Sequence, residues 1–146
     1  MTIGNACQKV MTEVRDIECL SHKDVISRLK QNDISCNDFT RHFPLNGVEA
    51  NCFCISTPGN SCIFVLLYYY KSHQIGYWTN PEYRGKGFGR EFLKTAFKQV
   101  IHKHDPSYVL ARINADNTAS EKIVSACKFK VMSNLTHQKL YVWYRP

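Results

Sequence analysis

The most constraining feature of this chain is the run Arg84-Gly85-Lys86-Gly87-Phe88-Gly89-Arg90, three glycines at alternate positions directly ahead of a strong helical periodicity. From Gly87 to Lys103 the apolar positions Phe88, Phe92, Leu93, Ala96, Phe97, Val100 and Ile101 form one stripe at helical spacing, with Lys94, Lys98 and Lys103 off it. The residues before the run, Gln74 to Thr79, read as a strand, as do Tyr108 to Ile113 after the helix. Strand, helix and strand in this order predict a right-handed parallel crossover.

The glycine run has a chemical reading. Glycines let the backbone turn sharply and remove side chains that would block a ligand. The first amides of a helix lack internal partners, and the helix dipole is positive there. Together they make a phosphate seat, and Arg84, Lys86 and Arg90 add positive charge around it. A plain helix-capping turn is the alternative. Two other phosphate loops do not fit. A Walker A loop ends in Lys-Ser or Lys-Thr, and this one does not. The Rossmann fingerprint spaces its glycines G-x-G-x-x-G with an acidic residue ending a later strand; here the spacing is G-x-G-x-G and Asp105 precedes Pro106 in a loop.

The rest of the chain supplies a mixed α/β frame. Lys9 to Ile17 reads as a first strand. Ser21 is placed to cap a helix carrying Val25, Ile26 and Leu29, and a second short helix is expected from Asn37 to Phe43, ending before Pro44. Asn51 to Ser56 and Cys62 to Tyr70 are strands joined by the turn Thr57-Pro58-Gly59-Asn60. Asn117 to Ala126 reads as a helix with Asn117 near its cap, followed by strands Phe129 to Met132 and Leu140 to Tyr144. The expectation is one domain over residues 9–146, a mixed sheet of about six to seven strands flanked by helices, after a flexible segment over residues 1–8.

Composition limits function. At 146 residues with 44% apolar and 21% charged residues, the chain is of globular type. The greasiest stretch, Cys62 to Tyr70, is strand-sized, so no membrane helix is expected, and Met1 to Cys7 lacks a secretory layout. A cytoplasmic location is the default expectation. The formal charge of +7 favours anionic partners. The basic residues are dispersed, so nucleic acid is not an expected partner, although Tyr68-Tyr69-Tyr70 invites comparison with a base-stacking platform. Alternate burial of those rings in core and rim is the simpler reading. Seven cysteines, an odd number at scattered positions, point to reduced thiols. Cys52 and Cys54 with Cys62 have no zinc spacing and read as buried small side chains, so no metal is expected.

Arg84-Gly85-Lys86-Gly87-Phe88-Gly89 resembles the R-G-x-G-x-G pyrophosphate loop of the GNAT superfamily of acetyl-coenzyme A-dependent N-acetyltransferases. Ile75-Gly76-Tyr77-Trp78-x-x-Pro81-x-Tyr83 is similar to the sub-group that includes ribosomal-protein N-terminal acetyltransferases. Asn114-x-x-Asn117-Thr118-Ala119-Ser120 followed by Phe129 resembles the family's second cofactor motif. The resemblance spans Gln74 to Lys130; the first half matches only in its order of elements. It implies a GNAT-like fold in which the fourth strand splays from the fifth and acetyl-CoA sits in the gap. It further implies that amides near Trp78 and Thr79 bond pantetheine and polarise the thioester, and that amides of Arg84, Gly85, Lys86, Gly87, Phe88 and Gly89 hold the pyrophosphate. Asn117 would bond the pantetheine arm, Ser120 would steady the leaving thiolate, and a neutral primary amine would attack the thioester directly.

The chain also departs from that pattern. Many members carry a Tyr on the last helix as general acid, where this chain has Ile123-Val124-Ser125, so Ser120 is the substitute. The usual Gly-Phe ending of that helix is Lys128-Phe129. No carboxylate marks a general base; His73 is the nearest titratable group, its plain alternative being a loop histidine in water. A coenzyme A-binding module without catalysis is the second functional class. The acceptor amine is not legible, and a monomer or homodimer is expected.

Overall fold

The computed structural model describes residues 3–14 and 17–146, with side chains described from Gln8 onward. The elements run α1 (Ile3–Glu13), β1 (Glu18–Ser21), α2 (His22–Leu29), α3 (Asp33–His42), β2 (Asn51–Thr57), β3 (Asn60–Tyr69) and β4 (Gln74–Thr79). A short 3-10 turn (Pro81–Tyr83) then leads into α4 (Phe88–His104), β5 (Tyr108–Asn114), α5 (Thr118–Ala126), β6 (Lys130–Asn134) and β7 (Gln138–Tyr144). The seven strands form one sheet in the order β1-β2-β3-β4-β5-β7-β6. Among the described residues only β4 and β5 pair in parallel, around the crossover helix α4.

The N-terminal elements differ from expectation: α3 starts at Asp33, capped by Asn32, four residues before the expected Asn37, and the first strand is displaced. Lys9 to Glu13 belongs to α1, and the first strand is Glu18–Ser21. Val10, Met11, Val14 and Ile17 are spaced i, i+1, i+4 and i+7, which is helical spacing, and these four pack against the main core. That periodicity wins over the apparent alternation around Glu13 and Val14. The expected flexible segment over residues 1–8 falls partly outside the described residues, and α1 begins at Ile3.

The sheet buries a cluster on each face. Phe53, Ile55, Leu66, Tyr68 and Ile75 pack with Phe92, Leu93, Ala96 and Val100 of α4. Cys52, Cys54, Val65, Leu67 and Trp78 pack with Val25, Leu29 and Phe39 of α2 and α3. The central strands are apolar on both faces because both are covered. Tyr68 is buried while Tyr69 packs with the opposite cluster, so the tyrosine run alternates across the sheet.

Local caps follow the sequence closely. The Ser21 hydroxyl accepts from Asp24 N–H at the start of α2, and Asn32 Oδ1 accepts from Ser35 N–H at the start of α3. The last helix ends as a Schellman cap: Lys128 N–H donates to Ser125 O at 3.1 Å and Phe129 N–H to Val124 O at 3.1 Å. Lys128 holds φ +70, the left-handed conformation usual for glycine, so the cap survives the Gly-to-Lys departure at a conformational cost. Among the described residues no helix is long and apolar enough to cross a membrane.

Candidate active site

The site begins where the sheet opens. β4 and β5 pair only at Gln74–Leu110 and Ile75–Ala111, so from Gly76 onward they part. Strand alternation fixes which backbone groups face the gap. His73 O accepts from Leu110 N–H on β5 at 2.7 Å, and Asn80 N–H donates to Ile63 O on β3 at 2.9 Å. The β3–β4 register has no shift between them. Odd-numbered residues of β4 therefore direct their amides to the gap and even-numbered ones to β3. Of the two amides expected at the gap, Thr79 faces it and Trp78 is turned into β3; Tyr77 takes the second place at the open edge.

A cleft of about 620 Å³ lies at this opening. Its wall is made by His42 and Phe43 at the end of α3, Tyr77, Trp78 and Thr79 of β4, the glycine loop, and the first turns of α4 and α5. Two helix N-termini thus meet one space. Gly87 is the N-cap of α4 with φ +79 and no side-chain cap, leaving the first amides of the helix without a protein partner at their side. Gly85 also has positive φ, +71. Gly89 has a different reason to be glycine: a Cβ there would stand 2.7 Å from Ile123 Cδ1 of α5. Gly76 is likewise forced by contact, since its Cβ would meet the Phe43 ring at 2.6 Å.

The loop is held from behind. Asn80 is buried; its Nδ2 donates to Ser35 Oγ at 3.1 Å and its Oδ1 accepts from Glu82 N–H. Asn60 Nδ2 donates to Tyr83 OH at 3.0 Å. Arg84 Nε donates to Thr79 O at 2.8 Å, and its guanidinium pairs with Asp38 of α3. Lys86 Nζ donates to Glu82 O at 2.9 Å. The cations expected to surround a phosphate are therefore redistributed. Arg84 and Lys86 brace the loop, and Arg84, Arg90 and Lys122 stand in the wall.

Asn117 Oδ1 accepts from Ser120 N–H at 3.1 Å and caps α5, which leaves its Nδ2 as the group able to donate. Ser120 sits in the first turn of α5, in the wall. Tyr77 reaches it from β4, its hydroxyl donating to Ser120 O at 3.4 Å. Burial pushes the Tyr77 phenol up to about 12, so it stays protonated. His73 is not brought to this place. It precedes β4, six residues from Thr79, or about 20 Å along an extended strand, and its ring stacks on Tyr108 at 4.6 Å. Cys127 beside the second motif is buried, and burial raises its thiol to about 11.

Sequence reading did not single out Tyr77, Asp38 and His42 as site residues, nor Lys122. Strand alternation would have put Tyr77 on the α4 side, but nothing local marks α3 as a wall of the cleft. Asp38 is the hub there. Its carboxylate accepts from Trp78 Nε1 at 2.8 Å, Arg41 at 2.9 Å and Arg84. Burial, the largest influence on it, would raise its pKa, but hydrogen bonds from Arg84 and Trp78 outweigh that and hold the carboxyl below its usual value.

The acetyltransferase (GNAT) domain profile matches residues 31–130. The chain belongs to the GNAT acetyltransferase family, which makes it an acyltransferase of the N-acetyltransferase type whose acetyl donor is acetyl-CoA. Among solved structures, mutant forms of the spermidine/spermine N-acetyltransferase SpeG from Vibrio cholerae align at TM-score 0.65 and 14% identity, over 91% of this chain and 94% of that one. The Campylobacter jejuni N-acetyltransferase PseH in complex with acetyl coenzyme A aligns at TM-score 0.63 and 12% identity, over 89% and 99%. These likenesses concern the fold. No curated protein matches the sequence significantly.

The residues present fit acetyl-CoA. The open strand edge offers backbone to a pantetheine arm. Two helix N-termini and the wall cations Arg90 and Lys122 suit phosphate and thiolate, and among the described wall residues no Asp or Glu opposes an anion.

Proposed function

We propose that the protein transfers an acetyl group from acetyl-CoA to a primary amine, by direct attack of the neutral amine on the thioester. The observation that carries this reading is the parting of β4 from β5 after Ile75, at a point flanked by the N-termini of α4 and α5. When bound, acetyl-CoA supplies an activated acyl carbon. The amides of Tyr77 and Thr79 polarise its carbonyl. The amides from Gly85 to Gly89, with Arg90 and Lys122, hold the phosphates. Asn117 Nδ2 donates to the pantetheine arm. Ser120 and the N-terminus of α5 stabilise negative charge on the departing sulfur.

The acceptor is an amine carried by a molecule that is not itself a polycation. The charged residues of the described wall are Arg84, Arg90 and Lys122, with His42 beside them. A peptide N-terminus or a small metabolite suits such a wall better than a polyamine does. Calorimetric titration with coenzyme A, followed by thiol-release assays against free-N-terminal peptides, small amines and spermidine, tests this. Absence of binding at millimolar coenzyme A would overturn it.

A second reading, a coenzyme A-binding module without catalysis, draws on the absence of a helix tyrosine at Ile123-Val124-Ser125. Thiol release with any amine above the hydrolytic background rejects it.

A further inference from the structure

We propose that His42 is the general base of this site: its Nε2 takes the proton from the incoming ammonium. The inference rests on the acetyltransferase reading above and assigns the role that the placement of His73 leaves open.

Three observations converge. His42 stands in the wall of the cleft, at the C-terminus of α3, on the Phe43 and Trp78 side of the splayed strand. Its Nδ1 lies 2.8 Å from the main-chain carbonyl oxygen of Asp38. A carbonyl only accepts, so Nδ1 carries the hydrogen, and in the neutral ring Nε2 is left as a bare lone pair. The Asp38 carboxylate is 3.8 Å from Nδ1, so positive charge on the ring is met by a fixed negative charge. This is the arrangement a base requires: one nitrogen anchored, the other free, and a counter-charge for the protonated form.

The ring also rides on a rigid support. His22 Nε2 donates to Phe43 O at 2.8 Å, and the Phe43 ring lies against Gly76, which has no Cβ to hold it off. Trp78 and Arg84 lock the Asp38 carboxylate from β4 and from the glycine loop. The charged groups around His42 are Asp38 and Arg41 on its own helix and Arg84 from the loop; Tyr77, Tyr83, Arg90 and Lys122 are the other titratable groups of the wall.

The step balances. His42 Nε2 removes one proton from the ammonium. The freed lone pair forms the C–N bond, the C–S bond breaks with its electron pair going to sulfur, and a second amine proton ends on that sulfur. The products are an amide, a thiol and one proton that the imidazolium returns to water.

The test uses 15N-histidine-labelled protein and the variant His42→Gln, with an alanine-initiated peptide and 2-phenylethylamine as probe acceptors. Ring-nitrogen NMR on the neutral ring should show His42 protonated at Nδ1 and bare at Nε2, with or without coenzyme A. His42→Gln should bind coenzyme A as the wild type does, lose about 10²-fold in kcat, and lose the acidic limb of the kcat/KM pH profile. His42 found protonated at Nε2, or a variant with wild-type rate and pH profile, would overturn the proposal. Failure of the acetyltransferase reading looks different: the wild type itself then shows no coenzyme A binding.

Discussion

Arg84 opens the glycine loop, yet its guanidinium is turned away from it onto Asp38, 46 residues earlier on α3. The ion pair ties the cofactor loop to the opposite wall of the cleft. Asp38 is nearly buried, with 11% of its side chain exposed, while Arg84 is 41% exposed. The carboxylate is therefore the partner whose loss matters. Its removal strands the Trp78 indole N–H and two guanidinium groups.

Asp38→Ala should lower stability by about 1–3 kcal/mol at neutral pH, the cost of leaving the buried Trp78 indole N–H unpaired. The sign of its pH dependence follows from the depressed carboxyl. The contribution is fully present above the pKa of an unfolded aspartate, about 3.9, and is lost as pH falls through the folded value. Urea unfolding of wild type and variant should give a gap at pH 7 that narrows below about pH 4. A gap independent of pH would contradict the assignment.

Gly87→Val should weaken coenzyme A binding by at least about tenfold while leaving a folded protein. A β-branched residue at φ +79 costs on the order of 1–2 kcal/mol and intrudes beside the first amides of α4. Calorimetry and circular dichroism read the two effects separately. Unchanged affinity would argue against the loop as the phosphate seat.

Gly89 and Ile123 should be coupled. Gly89→Ala places a methyl 2.7 Å from Ile123 Cδ1, and Ile123→Val removes that atom. A double-mutant cycle on unfolding free energy should show the second substitution relieving the first by about 0.5 kcal/mol or more. Additivity would mean that α4 and α5 do not meet there.

Asn117 carries two roles that substitution can separate. Asn117→Ala should cost about 1 kcal/mol through loss of the α5 cap. Asn117→Asp should keep the cap through its remaining oxygen, yet lose the Nδ2 donor and weaken coenzyme A binding. Thermal unfolding and calorimetry on the pair check this.

Lys128→Gly should raise stability by up to about 1 kcal/mol, because Lys128 occupies a left-handed position at φ +70 that glycine holds without strain. A fall in the unfolding temperature would contradict the Schellman geometry.

How much of this was legible in the sequence depends on range. The α4 stripe, the Ser21 cap and the Asn117 cap are local, and the structure places them within a residue or two of where the pattern predicts. The expected first strand fails because Glu13, Val14 and Arg15 with Ile17 imitate an imperfect alternation in a short window, while the helical spacing of Val10, Met11, Val14 and Ile17 shows only over a longer one. The cofactor side of the site was legible because its chemistry is contiguous, from Arg84 to Arg90. The acceptor side was not. It joins Asp38 and His42 to Trp78 and Arg84 across the sheet, and no spacing along the chain encodes that meeting. The turning of Trp78's amide into β3 depends on register, which periodicity alone does not supply.

Amide hydrogen exchange with and without coenzyme A tests the central claim most directly. Slowed exchange at Tyr77, Thr79, the amides from Gly85 to Gly89 and the first turn of α5, with β6 and β7 unaffected, is the predicted result. Identical exchange at all of these positions under saturating coenzyme A would contradict the account.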